Sequence, residues 1–479
     1  MPSLPLTSAA TKIIATVGPA CDSVDKLAAL IRSGADIFRI NTAHGDRQQH
    51  EQTLAKIREA ETLTGTHIGV LLDLSGPKIR LGQLPVDPFP CEFGAEVVFV
   101  RGDRSDAPNR LTSSYQRLID ELSVGDRVML ADGTVSLVVT RIAPGEAHCK
   151  VTGAGEIRSR QGINLPGVKL SVAAMRPADV DNAIWGAQND IDFISLSFVR
   201  TAEDVHSLKN LLASYDSQAM TIAKIEKPEA LAELNEIVDA ADAVMVARGD
   251  LGVEIDVAET PVAQKRIIRL CREKLKPVIV ATQMLDSMHH NRRPTRAEAS
   301  DVANAILDGA DACMLSGETA IGDFPEDAVT MMNRIMLHTE KELLIEEIKQ
   351  RRKPSHPHAI TSAVTDAATS IAESIRAKLI AIATHSGGTA WVKSKSRCRI
   401  PTIGISDNPA TLRRMSLLWG IKPLHLSNFQ NTEYLIEQIS RWGCDQAYLK
   451  PGDHIVVVTG SGVLERAHNL LLVHTVGQS

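Results

Sequence analysis

No apolar run in the 479 residues approaches the ~20 needed to cross a bilayer as a helix. A helical membrane protein is therefore excluded. The opening stretch, MPSLPLTSAATK, has neither a basic n-region nor an apolar h-region, so export is not expected and a cytoplasmic location is. Excess charge of one sign is also missing. Net charge is −6, from 52 Lys and Arg against 58 Asp and Glu, with both signs interspersed. That leaves no basic face for nucleic acid, and neither a nucleic-acid nor a membrane partner is expected. Cysteine is scarce and scattered: Cys21, Cys91, Cys149, Cys271, Cys313, Cys398 and Cys444 are odd in number, and no pair has metal-ligand spacing. A disulfide framework and a cysteine metal site are excluded, and reduced thiols are the default.

What is present is a regular alternation. Short runs rich in Ile and Val recur at 12–18, 36–41, 67–74, 192–198, 220–226, 243–250, 277–282 and 311–317. They are nearly continuous in apolar character, as strands buried on both faces are. Helical patterns lie between them, such as SVDKLAALIRSG and KPEALAELNEIVDAAD. Eight strand-then-helix units in series make an α/β chain with the count of a closed (β/α)₈ TIM barrel. The rhythm breaks after about residue 82. Residues 83–170 hold Pro85, Pro88 and Pro90, short β runs and the turn signals ADGT, APGE and GAGE. A small β-barrel-like domain inserted after the third strand is expected there, with the third barrel helix at 178–190. The barrel then takes residues 1–82 and 171–348. KQRRKPSHPHA (349–359) reads as a linker or a frayed helix end, and 349–479 as a C-terminal α/β domain.

In such a barrel the active site lies at the C-terminal ends of the strands. Polar residues concentrate there: Arg39, Asn41, Asp73, Ser195, Ser197, Lys224, Glu226, Arg248, Asp250, Thr282, Ser316 and Glu318. Period two puts Lys224 and Glu226 on one face of strand five. Glu226 and Asp250 are hard oxygen ligands of the kind Mg²⁺ or Mn²⁺ takes. Gly249 lets backbone N–H groups approach an anion. Lys224 and Arg39 suit the neutralisation of phosphoryl oxygens during transfer. Thr282 and Ser316 are candidates for a proton relay. A small substrate with a carboxylate and a phosphate would fit.

The segments KIIATVGPA, RINTAHG, LLDLSGPKIR, GINLPG, DFISLSFVR, AKIEKPEAL, MVARGDLGVEI, ATQMLDSM, RPTRAEASDVANAILDGADACMLSGETA and ATHSGGTA resemble those of the pyruvate kinase family, over nearly the whole chain. The resemblance implies a barrel, an inserted β domain that closes over the site and a C-terminal domain. It implies phosphoryl transfer from phosphoenolpyruvate to ADP, giving pyruvate and ATP. It assigns Lys224 to the transferring phosphoryl group, Glu226 and Asp250 to the divalent metal, and Arg39 to the substrate phosphate. Gly249, Asp250 and Thr282 fall at its substrate site. Arg80 falls at an ATP contact, and Asn41 to His44 at the nucleotide and cation site.

Three departures stand out. Ala43 occupies a position where the family has a serine that binds potassium. In the stretch Asp73-Leu74-Ser75-Gly76-Pro77-Lys78-Ile79-Arg80, Lys78 takes the place of a glutamate. Within the expected monovalent-cation region of Asn41, Asp73, Leu74 and Lys78, the lysine is expected to stand in for K⁺, to pair with Asp73 and to make K⁺ dispensable. Gln161, preceded by Arg160, replaces a lysine at a nucleotide contact. The loop Thr384-His385-Ser386-Gly387-Gly388-Thr389 is either a phosphate cradle for a sugar-phosphate effector or a plain strand-to-helix turn. The family is usually homotetrameric. Alternatives on the same architecture are a Mg²⁺-dependent lyase acting on pyruvate enolates and a non-catalytic sensing relative.

Overall fold

The computed structural model describes residues 9–168, 170–342, 359–427, 431–459 and 470–477. Eight parallel strands close a barrel: Lys12–Thr16, Ile37–Asn41, Gly69–Leu74, Phe193–Leu196, Met220–Ile225, Ala243–Ala247, Val278–Ala281 and Ala312–Leu315. Strand one pairs with strand eight, Ile14 opposite Met314, which closes the ring. The near-continuous apolar runs are explained by two cores. Ile14, Ile37, Leu71, Phe193, Ile222, Met245 and Ile279 fill the barrel interior. Their neighbours in sequence, among them Ile13, Phe38, Leu72 and Val244, face the surrounding helices. Successive side chains on a strand point to opposite faces, so both faces must be apolar. The helices start where capping residues dictate: Ser23 caps Val24–Ser33, Asp46 forms a capping box on Arg47–Thr64, and Thr295 forms one on Arg296–Asp308.

Strand six ends earlier than its sequence suggests. The run expected to reach residue 250 stops at Ala247, and Arg248, Gly249 and Asp250 open a helix, Arg248–Glu254. The Gly249 N–H is taken by the Thr282 hydroxyl at 2.7 Å rather than by a neighbouring strand.

A repeat marks the opposite end of the barrel. Strands two, four, six and eight each begin one residue after an aspartate: Asp36, Asp192, Asp242 and Asp311. Each carboxylate accepts the backbone N–H of the preceding strand, from Ile13, Val70, Thr221 and Val278, at 2.8–2.9 Å. Each also meets a cation: Lys12, Arg58 with Arg413, Lys209, and Lys395 with Arg397. Arg413, Lys395 and Arg397 belong to the C-terminal part of the chain, and Lys12 donates to the Ile421 carbonyl there at 3.0 Å. Three of the four aspartates thus fasten the barrel to the domain beneath it.

The insert holds a six-stranded sheet and a two-stranded one, with its own core around Val97, Phe99, Val128, Leu137 and Val151. Ile79 and Leu81 join that core, and Arg80 bridges to Gly162, so its packing begins ahead of residue 83. Arg200 holds the returning chain by donating to the Leu170 and Val172 carbonyls, each at 2.7 Å. The third barrel helix is Pro177–Gln188. The C-terminal part carries a five-stranded sheet in the order Ile421–His425, Thr402–Ser406, Leu379–Ala383, His454–Thr459 and Leu470–Thr475, the last antiparallel. Of the expected linker at 349–359, all but Ala359 lies outside the described residues.

Candidate active site

At the C-terminal ends of the strands, four charged side chains form one buried group. Arg39 donates through Nε and Nη2 to Asp73 Oδ2, at 2.8 and 2.6 Å. Ser195 donates to the other oxygen of Asp73 at 2.5 Å. Lys224 Nζ lies 3.4 Å from that oxygen, Oδ1, and 2.9 Å from Glu226 Oε1, and it donates to the Ser197 hydroxyl at 2.7 Å. The period-two argument therefore places Lys224 beside Glu226. Burial would raise the Asp73 carboxyl, but Lys224 and Arg39 outweigh it and bring it down to about 2. Burial would lower Lys224, yet Asp73 and Glu226 hold it above the ordinary lysine range.

Glu226 behaves differently. Burial lifts its carboxyl and the charge on Asp250 lifts it further, against Lys224. Oε2 accepts the Phe198 N–H at 2.7 Å, while Oε1 is buried and has only the Lys224 ammonium, at 2.9 Å, for a partner among the described residues. Two carboxylates that repel one another fit a hard divalent cation. Among the described residues no group of three or more Asp, Glu, His or Cys side chains is placed to hold a metal. Two protein carboxylates are the complement Mg²⁺ commonly uses, leaving its other positions to water and substrate.

Lys78 is not where its sequence position suggests. Its ammonium lies 3.2 Å from Asp250 Oδ1, not against Asp73. Asp73 is already occupied by Arg39, Lys224 and Ser195. The Leu74 carbonyl, in the same expected cation region, accepts the Ser197 hydroxyl at 2.7 Å. Asn41 Oδ1 accepts the Ala43 N–H at 3.1 Å. The His44 side chain is exposed, and its carbonyl meets His50 Nε2 at 2.9 Å.

Thr282 sits at φ +70°, an unusual conformation for a β-branched residue. Its hydroxyl donates to the Ala281 carbonyl at 2.6 Å and accepts the Gly249 N–H. A Cβ at Gly249 would lie 3.2 Å from that hydroxyl oxygen, which explains the glycine. Arg248 fixes this corner, pairing with Asp301 at 2.7 Å and donating to the Thr282 carbonyl at 2.9 Å. Buried Glu318 accepts the Ser316 N–H at 2.7 Å and so orients that strand end. Asp73 as the shared counter-ion, Thr16 as a partner of Arg39 at 3.1 Å and Asp301 were not singled out for these roles from sequence. Alternation down strand three was the signal available for Asp73.

A cleft of about 780 Å³ opens beside Asp250. Lys78, Arg248, Gly249 and Gln283 line it, and Asp132 reaches it from the insert. Arg80 donates to the Arg160 carbonyl at 3.2 Å, and Gln161 Oε1 accepts the Arg158 N–H at 2.7 Å, so these three lie together at the base of the insert. The loop from Thr384 to Thr389 follows the central strand of the C-terminal sheet. Thr384 Oγ1 accepts the Gly387 N–H at 3.1 Å, and Gly388 opens a helix.

Two family models match: the pyruvate kinase barrel domain over residues 8–329 and the pyruvate kinase alpha/beta domain over 362–474. The pyruvate kinase of Geobacillus stearothermophilus is 40% identical over 470 residues, 97% of this chain and 80% of that one. That of Corynebacterium efficiens is 39% identical over 98% of both chains. The crystal structure of a pyruvate kinase from Cryptosporidium parvum superposes with a TM-score of 0.92 at 34% identity, covering 99% of this chain and 98% of the other. The chain belongs to the pyruvate kinase family.

Proposed function

We propose that this chain transfers the phosphoryl group of phosphoenolpyruvate to ADP. The observation that carries the reading is the buried Arg39–Asp73–Lys224–Glu226 group, with Asp250 close enough to perturb Glu226. Asp73 holds both cations rigid at little cost in reorganisation. Arg39 binds the phosphate, and Lys224 stabilises charge that develops on the phosphoryl oxygens as the bond to the enol oxygen breaks and the bond to the ADP β-phosphate forms. Glu226 and Asp250 would hold Mg²⁺ or Mn²⁺, which neutralises phosphoryl charge when bound. Gly249, Asp250 and Thr282 flank the substrate. The enolate left behind takes a proton at its methylene carbon, relayed through Thr282 or Ser316 and water, to give pyruvate. Asn41, His44, Arg80, Arg160 and Gln161 serve the nucleotide.

A coupled assay with phosphoenolpyruvate, ADP and Mg²⁺ tests this. Pyruvate and ATP forming in equal amounts is expected. Metal-dependent cleavage of a carbon–carbon bond, or ligand binding without turnover, would replace the reading with a lyase or a sensor.

Potassium is dispensable in this reading. Ala43 lacks a hydroxyl ligand, and Lys78 already brings a positive charge to Asp250. Rates in K⁺ and tetramethylammonium buffers of equal ionic strength should agree within about twofold, a difference worth roughly 0.4 kcal/mol. Strong activation by K⁺ would remove the lysine from this role. The loop at Thr384, Ser386, Gly387, Gly388 and Thr389 is proposed to take a sugar phosphate. A homotetramer is proposed on the family resemblance alone. Seven free cysteines support a cytoplasmic location.

A further inference from the structure

Both stretches of chain that carry the insert pass the same helix, Arg248–Glu254. Asp250 and Glu254 are four residues apart and share one of its faces. On the outgoing stretch, Lys78 meets Asp250 at 3.2 Å. On the returning stretch, Asn164 Nδ2 donates to Glu254 Oε1 at 3.1 Å. That same oxygen accepts Lys227 Nζ at 2.6 Å, and Lys227 directly follows Glu226. The Glu254 side chain is fully buried, and its Oε2 has no hydrogen-bond partner among the described residues. Its hydrogen bonds are thus concentrated on one oxygen, shared between barrel and insert, in surroundings where such a contact is strong. Gly162 lies between the two stretches: a Cβ there would lie 3.0 Å from Lys78 Cε and 4.0 Å from Asn164 Oδ1.

We infer that Glu254 is a positioning residue for phosphoryl transfer, with Asn164 and Lys227 as its two arms. Through Asn164 it sets the insert over the strand ends. Through Lys227 it sets the helix bearing Asp250 against the strand bearing Glu226. The lid position and the spacing of the two carboxylates are therefore fixed by one buried group. A pair formed only by Lys227 and Glu254 would be internal to the barrel; the Asn164 amide carries it across the domain boundary. The turnover part of this inference rests on the proposed activity, while the contact itself does not.

The test is a charge exchange. Asn164→Asp sets a carboxylate against Glu254, whereas Asn164→Asp with Glu254→Gln restores a donor–acceptor pair in the reverse sense and keeps one carboxylate for Lys227. In the single variant kcat/KM for ADP should fall by about tenfold or more, and the double variant should recover most of it, the signature of direct coupling. Nitroxide pairs at Leu63→Cys and Phe93→Cys, in a Cys444→Ser background, report the insert-to-barrel distance without turnover. The distribution should broaden in Asn164→Asp and narrow again in the double variant. An unchanged distribution and nucleotide KM in the single variant, or a double variant no better than the single, would overturn the inference. If Asn164→Asp does not fold, Asn164→Ala removes the donor without adding charge and carries the same two readouts. A wild type with no turnover would refute the activity and leave the contact to be judged on the distances.

Discussion

The two ends of the barrel use the same residue types to opposite effect. At the N-terminal end, Asp36, Asp192, Asp242 and Asp311 each accept a backbone N–H and each meet at least one cation. Their valences are spent on joining strand to strand and barrel to C-terminal domain. At the C-terminal end, Asp73 is satisfied in the same manner, but it in turn holds Arg39 and Lys224 for something else. Glu226 pairs with Lys224, and Asp250, paired with Lys78, faces an open cleft. Both ends are ion-pair networks, so pairing does not distinguish structure from function here. What distinguishes them is what they face: the N-terminal ring meets the C-terminal domain, and the C-terminal group meets an open cleft.

The largest effect that sharpens this contrast is on turnover. Lys224→Met should lower kcat by about a thousandfold, roughly 4 kcal/mol, because the lost charge acts on the transition state. The fold should persist, with some stability lost because Glu226 is left buried without its cation while Arg39 remains on Asp73. A variant that turns over normally would remove Lys224 from the chemistry.

Asp311→Ala should show the reverse pattern. It leaves Lys395 and Arg397 buried without their counter-ion, and about 3 kcal/mol or more of stability should be lost by denaturant unfolding. Turnover per folded molecule should change little. Burial pulls Lys395 down to about 8 even with Asp311 beside it, so without the aspartate deprotonation can relieve part of the unpaired charge from a lower pH. A variant as stable as the wild type would mean that the aspartate ring does not join the domains.

A smaller effect concerns acid. Asp73 titrates at about 2 in the fold against an ordinary value of 3.8. Its contribution, about 2 kcal/mol, is present in full above the ordinary value and is lost as pH falls toward 2. Unfolding curves of Asp73→Asn between pH 5 and 2 should lack this component. Identical pH dependence in the two proteins would show that the Asp73 charge is not stabilising.

Much of this contrast was legible in the sequence. Period two along MTIAKIE places Lys224 with Glu226, and the strand-end rule gathers Arg39, Asp250, Thr282 and Ser316 at one end of the barrel. The partner of Lys78 was not legible, because Asp250, 172 residues away in sequence, is brought to it only by the fold. Nor was the spending of Asp73, since competition among three donors for one carboxylate depends on distances. The aspartate ring had a signal that was not used: Asp36, Asp192, Asp242 and Asp311 each immediately precede a strand, always an even-numbered one. Separation in sequence hid the insert's hold on helix Arg248–Glu254, because Asn164 and Glu254 are 90 residues apart.

Whether the carboxylates at the open C-terminal end serve function is tested most directly by binding the ion they should attract. Mn²⁺ titrations followed by electron paramagnetic resonance, without substrate, compare the wild type with Glu226→Gln and Asp250→Asn. One tight site is expected in the wild type, weakened by about tenfold or more in each variant, about 1.4 kcal/mol, with melting temperatures in metal-free buffer nearly unchanged. Three titrations that overlay would mean that Glu226 and Asp250 do not hold the metal.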